Sequence, residues 1–146
     1  MATNNGPDMQ AIKRLIGAHF NALRWTSGTR PDWATFCADF SPDASLFGAA
    51  RPARRQTLDA FITRMNGVAQ GALRSFEEKT LGMQILAFGN VAVVLAASEM
   101  VENDKEVNHD VSGYLLVKDD GQWHIAAHAW DHATKEMPVP DDLRRS

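Results

Sequence analysis

The segment DGQWHIAAHAWDH, residues 120–132, places His124, His128 and His132 at intervals of four. On a helix this spacing would stack the imidazoles on one face, where they could share a metal ion. On a strand it spreads them along one side. The neighbouring sequence decides between the two. LLVKDDGQWHI has the form of a β-hairpin, two apolar strands around an Asp-Asp-Gly turn. Four residues of strand span about 13 Å, whereas zinc–nitrogen bonds are about 2.0–2.1 Å. No two of these histidines can then serve one ion, and no metal site is expected.

The hairpin register carries the next step. A two-residue Asp120-Gly121 loop would mix the faces and set Asp110 against Asp131, a like-charge pairing. A three-residue loop, Asp119 to Gly121, pairs Val117 with Trp123, Leu115 with Ile125, Gly113 with Ala127, Val111 with Ala129 and His109 with Asp131. The second register is favoured because it makes one face uniformly apolar up to its far end. There His109 meets Asp131. A carboxylate beside an imidazole fixes the ring tautomer and raises its basicity, which suits general acid–base catalysis near neutral pH. The same contact could equally be a structural cross-strand bond. The other face, with Tyr114, His128 and Trp130, is mixed and aromatic and reads as a subunit interface.

Further candidates surround this pair. The preceding strand offers Ser98 or Glu99 as a neighbour of His109, depending on the length of the turn at Asn103-Asp104. His19 is the polar member of the first helix's apolar stripe, either a core histidine or a pocket group. One of Glu77 and Glu78 must face inward, and a buried carboxylate needs a partner or a raised pKa; Glu78 is taken as the pocket candidate. Trp33, on the apolar side of a short helix, and Trp123, on the apolar hairpin face, complete the pocket candidates. The arginines of RPARR read as a solvated loop. Cys37 lies in an apolar pattern without an adjacent base and is assigned to packing.

These groups must be positioned by a simple series of elements. Ile12, Leu15, Ile16, His19 and Leu23 form one stripe, so residues 8–26 are expected to be helical. A short helix over 31–40, a strand over 45–48 and a helix over 57–69 capped by Thr57 follow. From residue 73 the helical period vanishes, and strands are expected over 73–88, 91–102, 106–118 and 122–132. Helices first and antiparallel strands after is an α+β pattern. Residues 1–7 and 138–146 are expected to be extended tails of a single domain spanning 1–146.

Composition narrows the function classes. The net charge of −3 gives no electrostatic reason to expect nucleic acid or an anionic membrane as partner. The longest apolar run, VAVVLAA, is far too short to span a bilayer. A single cysteine allows no intrachain disulfide, and a cytoplasmic location is expected.

Three strings carry a family resemblance: DWATFCADFSPDASLFG, FEEKTLGMQILAFGNVAVV and LLVKDDGQWHIAAHAWD. With the order of elements they resemble the nuclear transport factor 2-like superfamily, in its SnoaL-like, polyketide-cyclase-like branch, over residues 10–140. The resemblance implies a cystatin-like roll, a cone-shaped curved antiparallel sheet wrapped around three N-terminal helices, with a pocket between the concave face and the first helix. It implies a small apolar ligand, proton transfer without cofactor or metal, and a homodimer through the convex face, to which Tyr114, His128 and Trp130 are assigned. Isomerisation, dehydration or cyclisation next to a carbonyl is the implied chemistry, with a non-catalytic binding or accessory domain as the alternative. The absence of arginine from residues 75–143 argues against epoxide hydrolysis of the kind known in this superfamily.

Overall fold

The computed structural model describes residues 6–144. Helix α1 (Pro7–Ala22) begins with proline in its first turn, where the missing N–H costs nothing. It buries Ile12, Ile16, His19 and Phe20. Helix α2 (Trp33–Ala38) is capped by Asp32, whose side chain accepts from the Thr35 N–H, and α3 (Leu58–Ala69) is capped in the same way by Thr57 and Ala60. The strands are β1 (Phe40–Phe47), β2 (Arg55–Gln56), β3 (Phe76–Phe88), β4 (Val91–Glu102), β5 (Glu106–Asp119) and β6 (Gln122–His132).

The strands form one curved, unclosed sheet in the order β2-β1-β6-β5-β4-β3. All neighbours are antiparallel except β1 and β6, which run parallel. The helices lie on the concave side. Their stripes meet Phe40, Leu46, Ile85, Val94, Leu116 and Ile125 in a single core. The α+β class and the helix-wrapping sheet agree with the sequence reading, although α1 stops four residues early and β1 starts five residues sooner.

The decisive detail is in β6. The hairpin turns on two residues, Asp120 and Gly121, both with positive φ, and Asp119 pairs with Gln122. Val117 therefore pairs with His124. The register then shifts: Leu116 pairs with Ile125, but Leu115 pairs with Ala127. Ala126 is the extra residue of a β-bulge, which changes the parity of everything beyond it. Trp123 and Ile125 face inward before the bulge, and His128, Trp130 and His132 face inward after it. The uninterrupted three-residue-loop register expected from the sequence is not formed.

Tyr114, His128 and Trp130 consequently lie on the concave face, not on the convex face to which they were assigned. The convex face presents Leu86, Phe88, Val91, Val93, Leu95, Leu115 and Val117, all exposed. The C-terminal segment also differs from expectation. After the prolines it forms a short 3-10 turn (Asp141–Leu143), and Val139 and Leu143 are buried against Ala97. Of the expected N-terminal tail, residues 1–5 lie outside the described residues and Pro7 already opens α1.

Deleting Ala126 removes the bulge and forces either the Trp123 or the Trp130 side of β6 out of the core. The variant is expected to lose its cooperative thermal transition. A melting curve like that of the parent would show that the sheet tolerates either parity.

Candidate functional site

The parity set by the bulge brings polar side chains from four adjacent strands to one patch of the concave wall. Glu78 comes from β3, Ser98 from β4, Asp110, Ser112 and Tyr114 from β5, and His128 and His132 from β6. Helix α1 adds His19. A cavity of about 190 Å³ lies between this wall and α1 and α3. Its apolar lining includes Phe20, Phe36, Phe61, Met65 and Trp130. The exposed lining residues Arg64 and His132 mark its opening.

At the opening, the His132 Nδ1 lies 2.6 Å from Asp110 Oδ1. The Asp110 side chain is only 8% exposed, whereas that of His132 is 64% exposed. The bond to Asp110 raises the His132 pKa. Burial pushes Asp110 upward against the opposing pull of the same bond. This is a carboxylate–imidazole pair with one ring nitrogen held and the other free.

Glu78 sits beside it. The Ser98 hydroxyl donates to Glu78 Oε2 at 2.7 Å. Burial nevertheless raises the Glu78 carboxyl to about 7, and the nearby Asp110 charge adds to the rise. A carboxyl that holds its proton near neutrality thus shares a wall with an imidazole stabilised in its charged form.

The deep end is different in kind. His128 is enclosed by aromatic rings, and neither of its ring nitrogens has a hydrogen-bond partner among the described residues. Burial keeps its pKa well below the usual histidine range. Tyr114 stacks on it with ring centroids 4.3 Å apart, and the Tyr114 hydroxyl is also buried without a partner. His19 presents its edge to both rings, with Nδ1 3.8 Å from Asp39 Oδ2.

Two of the pocket candidates read from the sequence, His19 and Glu78, line the cavity. The pair His109 and Asp131 is not formed. His109 bonds instead to Glu99, Nε2 to Oε2 at 3.1 Å, while Asp131 lies opposite Val111 and is exposed. Both point away from the cavity: His109 lies on the outward parity of β5, opposite to Asp110, Ser112 and Tyr114, and the bulge in β6 turns Asp131 outward. Glu99 faces outward too, bridging His109 and Lys79. The turn between β4 and β5 takes three residues, Asn103 to Lys105, which sets Glu99 opposite His109 and turns Ser98 inward. Trp33 lies outside the cavity, its indole N–H donating to Asn66 Oδ1. Trp123 faces inward at the opposite end, where its indole N–H donates to Asp8. Cys37 is half-buried and burial raises its thiol pKa, in keeping with a packing role. Asp110, Ser112, His128 and His132 are the site residues that the sequence reading put on the wrong face. The signal was available in the exposed-side strings Val91-x-Val93-x-Leu95 and Leu115-x-Val117, which leave only the mixed parity of β5 for the interior. Among the described residues, no group of three His, Cys, Asp or Glu side chains is spaced to hold a metal ion, and no helix is long and apolar enough to cross a membrane.

The Glu78 shift has a consequence for stability. From its ordinary value of 4.5 to about 7, the folded protein binds a proton that the unfolded chain has released, so stability falls as pH rises through this window. The difference amounts to at most about 3 kcal/mol. Glu78→Gln keeps an acceptor for Ser98 and cannot ionise. Denaturant titrations between pH 4 and 8 should show the parent losing stability relative to this variant across that range. Parallel pH profiles would show that Glu78 ionises freely in the fold.

Comparison with known proteins agrees with this architecture. A family profile described as a SnoaL-like domain matches residues 16–130. Among solved structures, the chain is similar to a putative scytalone dehydratase from Novosphingobium aromaticivorans, with TM-score 0.69 and 18% identity over 92% of this chain and 89% of that one. It is also similar to an NTF2-like protein of unknown function from Pseudomonas putida, with TM-score 0.69 and 16% identity over 92% and 94% of the two chains. A third is the yeast UBP3-associated protein BRE5, with TM-score 0.65 and 12% identity over 90% and 100%. No curated protein matches the sequence. At these identities the structural matches show the shared fold, and the profile match shows the family: the chain belongs to the SnoaL-like branch of the NTF2-like superfamily.

Proposed function

We propose that this protein binds a small, largely apolar carbonyl compound in its cavity and moves protons on it without a cofactor. The observation that carries the reading is the Asp110–His132 contact of 2.6 Å on the cavity wall, beside a Glu78 carboxyl raised to about 7. One group at this end accepts a proton and the other returns one. His132 removes a proton from carbon adjacent to the carbonyl, and Asp110 stabilises the resulting imidazolium. Glu78 then supplies a proton: to the far carbon of the enolate in an isomerisation, to the departing hydroxyl in a dehydration, or to the oxygen of the attacked carbonyl in an aldol cyclisation.

The dimer reading keeps the convex face but with different residues. Leu86, Val93, Leu95, Leu115 and Val117 form adjacent positions across β3, β4 and β5 on the convex face. Such a patch suits a second copy of the chain. The same patch favours the second reading, a non-catalytic binding or accessory domain, since it can be used whether or not the cavity does chemistry. A cytoplasmic setting fits the single unpaired cysteine.

Two measurements test these assignments. Deuterium incorporation into cyclohexanone next to its carbonyl, followed by NMR, should exceed the buffer rate. It should fall by about 10²–10⁴-fold in His132→Ala, the usual contribution of a positioned base. Incorporation at the buffer rate in the parent leaves the binding reading as the better one. Leu115→Glu should convert a dimer into a monomer by light scattering, and an unchanged mass would remove the convex face from the interface.

A further inference from the structure

The three carboxyls of the cavity wall are held in three ways. Asp110 is bonded by the His132 imidazole, Glu102 by the Asn108 amide and Glu78 by the Ser98 hydroxyl. Only Glu78 is held by a neutral hydroxyl, and that hydroxyl comes from behind the wall.

Ser98 is fully buried on β4 and is not part of the cavity lining. It pairs with Thr80 on β3 and with Asp110 on β5. Glu78, two residues before Thr80, is therefore its diagonal neighbour. The Ser98 hydroxyl donates to Glu78 Oε2 at 2.7 Å, its single hydrogen bond among the described residues. Thr80 offers it no alternative, since the Thr80 hydroxyl is buried without a partner. Asp110 is already engaged by His132. Ser98 has one hydrogen to give, and a buried donor left unpaired is costly. The hydrogen goes to Oε2.

A protonated carboxyl has one hydroxyl oxygen and one carbonyl oxygen, and the carbonyl oxygen is the better acceptor. With Ser98 donating to Oε2, the Glu78 proton belongs on Oε1. Among the described residues Oε1 has no partner, and unlike the His128 ring nitrogens it is not sealed by its neighbours. Glu78 lines the cavity. We propose that Ser98 is a positioning residue: by holding Oε2 it fixes the rotation of the Glu78 carboxyl and keeps its proton on Oε1, the oxygen that opens on the cavity. The inference rests on the reading of Glu78 as the acid of the site. In the reverse arrangement Glu78 would donate through Oε2 to Ser98. Its proton would then point into β4, and the Ser98 hydrogen would lose its acceptor.

The other ionisable groups around Glu78 are Glu102 of β4, Asp110 of β5, His128 and His132 of β6, His19 of α1 and Arg64 of α3. Burial favours the neutral form of Glu78, the Ser98 bond opposes it, and the Asp110 charge adds to the effect of burial. Removing the Ser98 hydroxyl therefore raises the pH at which Glu78 ionises.

Neutron diffraction from deuterated crystals of the full chain at pH 6, below the Glu78 value of about 7, locates the proton without reference to turnover. A deuteron on Oε1 is expected, with the Ser98 deuteron directed at Oε2. A deuteron on Oε2, or a Ser98 hydroxyl turned elsewhere, would overturn the inference. A Glu78 carrying no deuteron at this pH would remove its acid role and the inference together. Carbon-13 NMR of glutamate-labelled protein, with Glu78→Gln to assign the signal, then follows the titration. Ser98→Ala should raise the midpoint by about 0.5–1 pH unit, the worth of one net hydrogen bond, and Ser98→Thr should restore it. Thr80→Val deletes the neighbouring hydroxyl, which makes no hydrogen bond, and should leave the midpoint in place. An unmoved midpoint in Ser98→Ala, or an equal rise in Thr80→Val, would count against Ser98. Melting curves establish that the variants fold; should Ser98→Thr fail to, the alanine variant and the neutron map decide. For deuterium incorporation into cyclohexanone, Ser98→Ala should lower kcat about three- to tenfold with KM unchanged. A raised KM with kcat unchanged would overturn the positioning role. A parent that orients this proton but exchanges no deuterium would remove the proposed chemistry alone.

Discussion

The site depends on one extra residue. Strand side chains alternate, so a strand that faces the core with Trp123 and Ile125 would ordinarily turn Ala127, Ala129 and Asp131 inward next. Ala126 breaks that count. Its bulge lets an apolar half-strand close the narrow part of the cone while a polar half-strand lines the cavity. The small side chains at Ala126 and Ala127 suit this position, since neither has bulk to place on the wrong face. Without the bulge, His128, Trp130 and His132 could not face inward together with Ile125.

The cavity that results is electrostatically divided. At its opening, three carboxyl groups and an exposed imidazole compete for protons, and Glu78 holds its proton toward neutrality because burial makes its charged form costly. At its deep end, neutral rings stack tightly and leave hydrogen-bonding atoms unpaired. Proteins rarely bury such atoms without a use for them. The two ends together give the cavity a direction: apolar aromatic walls fill one part, and the titrating groups are gathered at the other.

Much of the fold was legible in the sequence because periodicity reports it directly. The stripe from Ile12 to Leu23, the cap at Thr57 and the Asp-Asp-Gly segment before Gln122 announce helices and a hairpin by local chemistry, though not the length of the hairpin's turn. Glu78 and His19 were legible as polar residues at inward positions. The Asp110–His132 pair was not, because it depended on register. A bulge has no fixed sequence signature, and one misplaced residue exchanges the two faces of a strand. His109 and Asp110 are adjacent in sequence and lie on opposite faces of β5, and the bulge at Ala126 decides that His132, not Asp131, meets Asp110 on the cavity side. Glu99 and Ser98 exchange roles in the same way through the length of the Asn103–Lys105 turn. The apolar character of the convex face misled in addition, since a face richer in valine and leucine than the concave one reads as the interior.

Asp8, in the first turn of α1, accepts hydrogen bonds from Trp123 and Lys118 at the tip of the β5–β6 hairpin. This contact joins the first turn of α1 to a hairpin more than a hundred residues later, and α1 becomes a bolt drawn across the narrow end of the cone. The first turn of α1 cannot be fixed there until the hairpin that receives it exists. Contacts of such long sequence separation slow folding, because chain entropy is lost before they form. The body of α1 can lean on β3 earlier, but its N-terminal end is bolted only once β5 and β6 have been made.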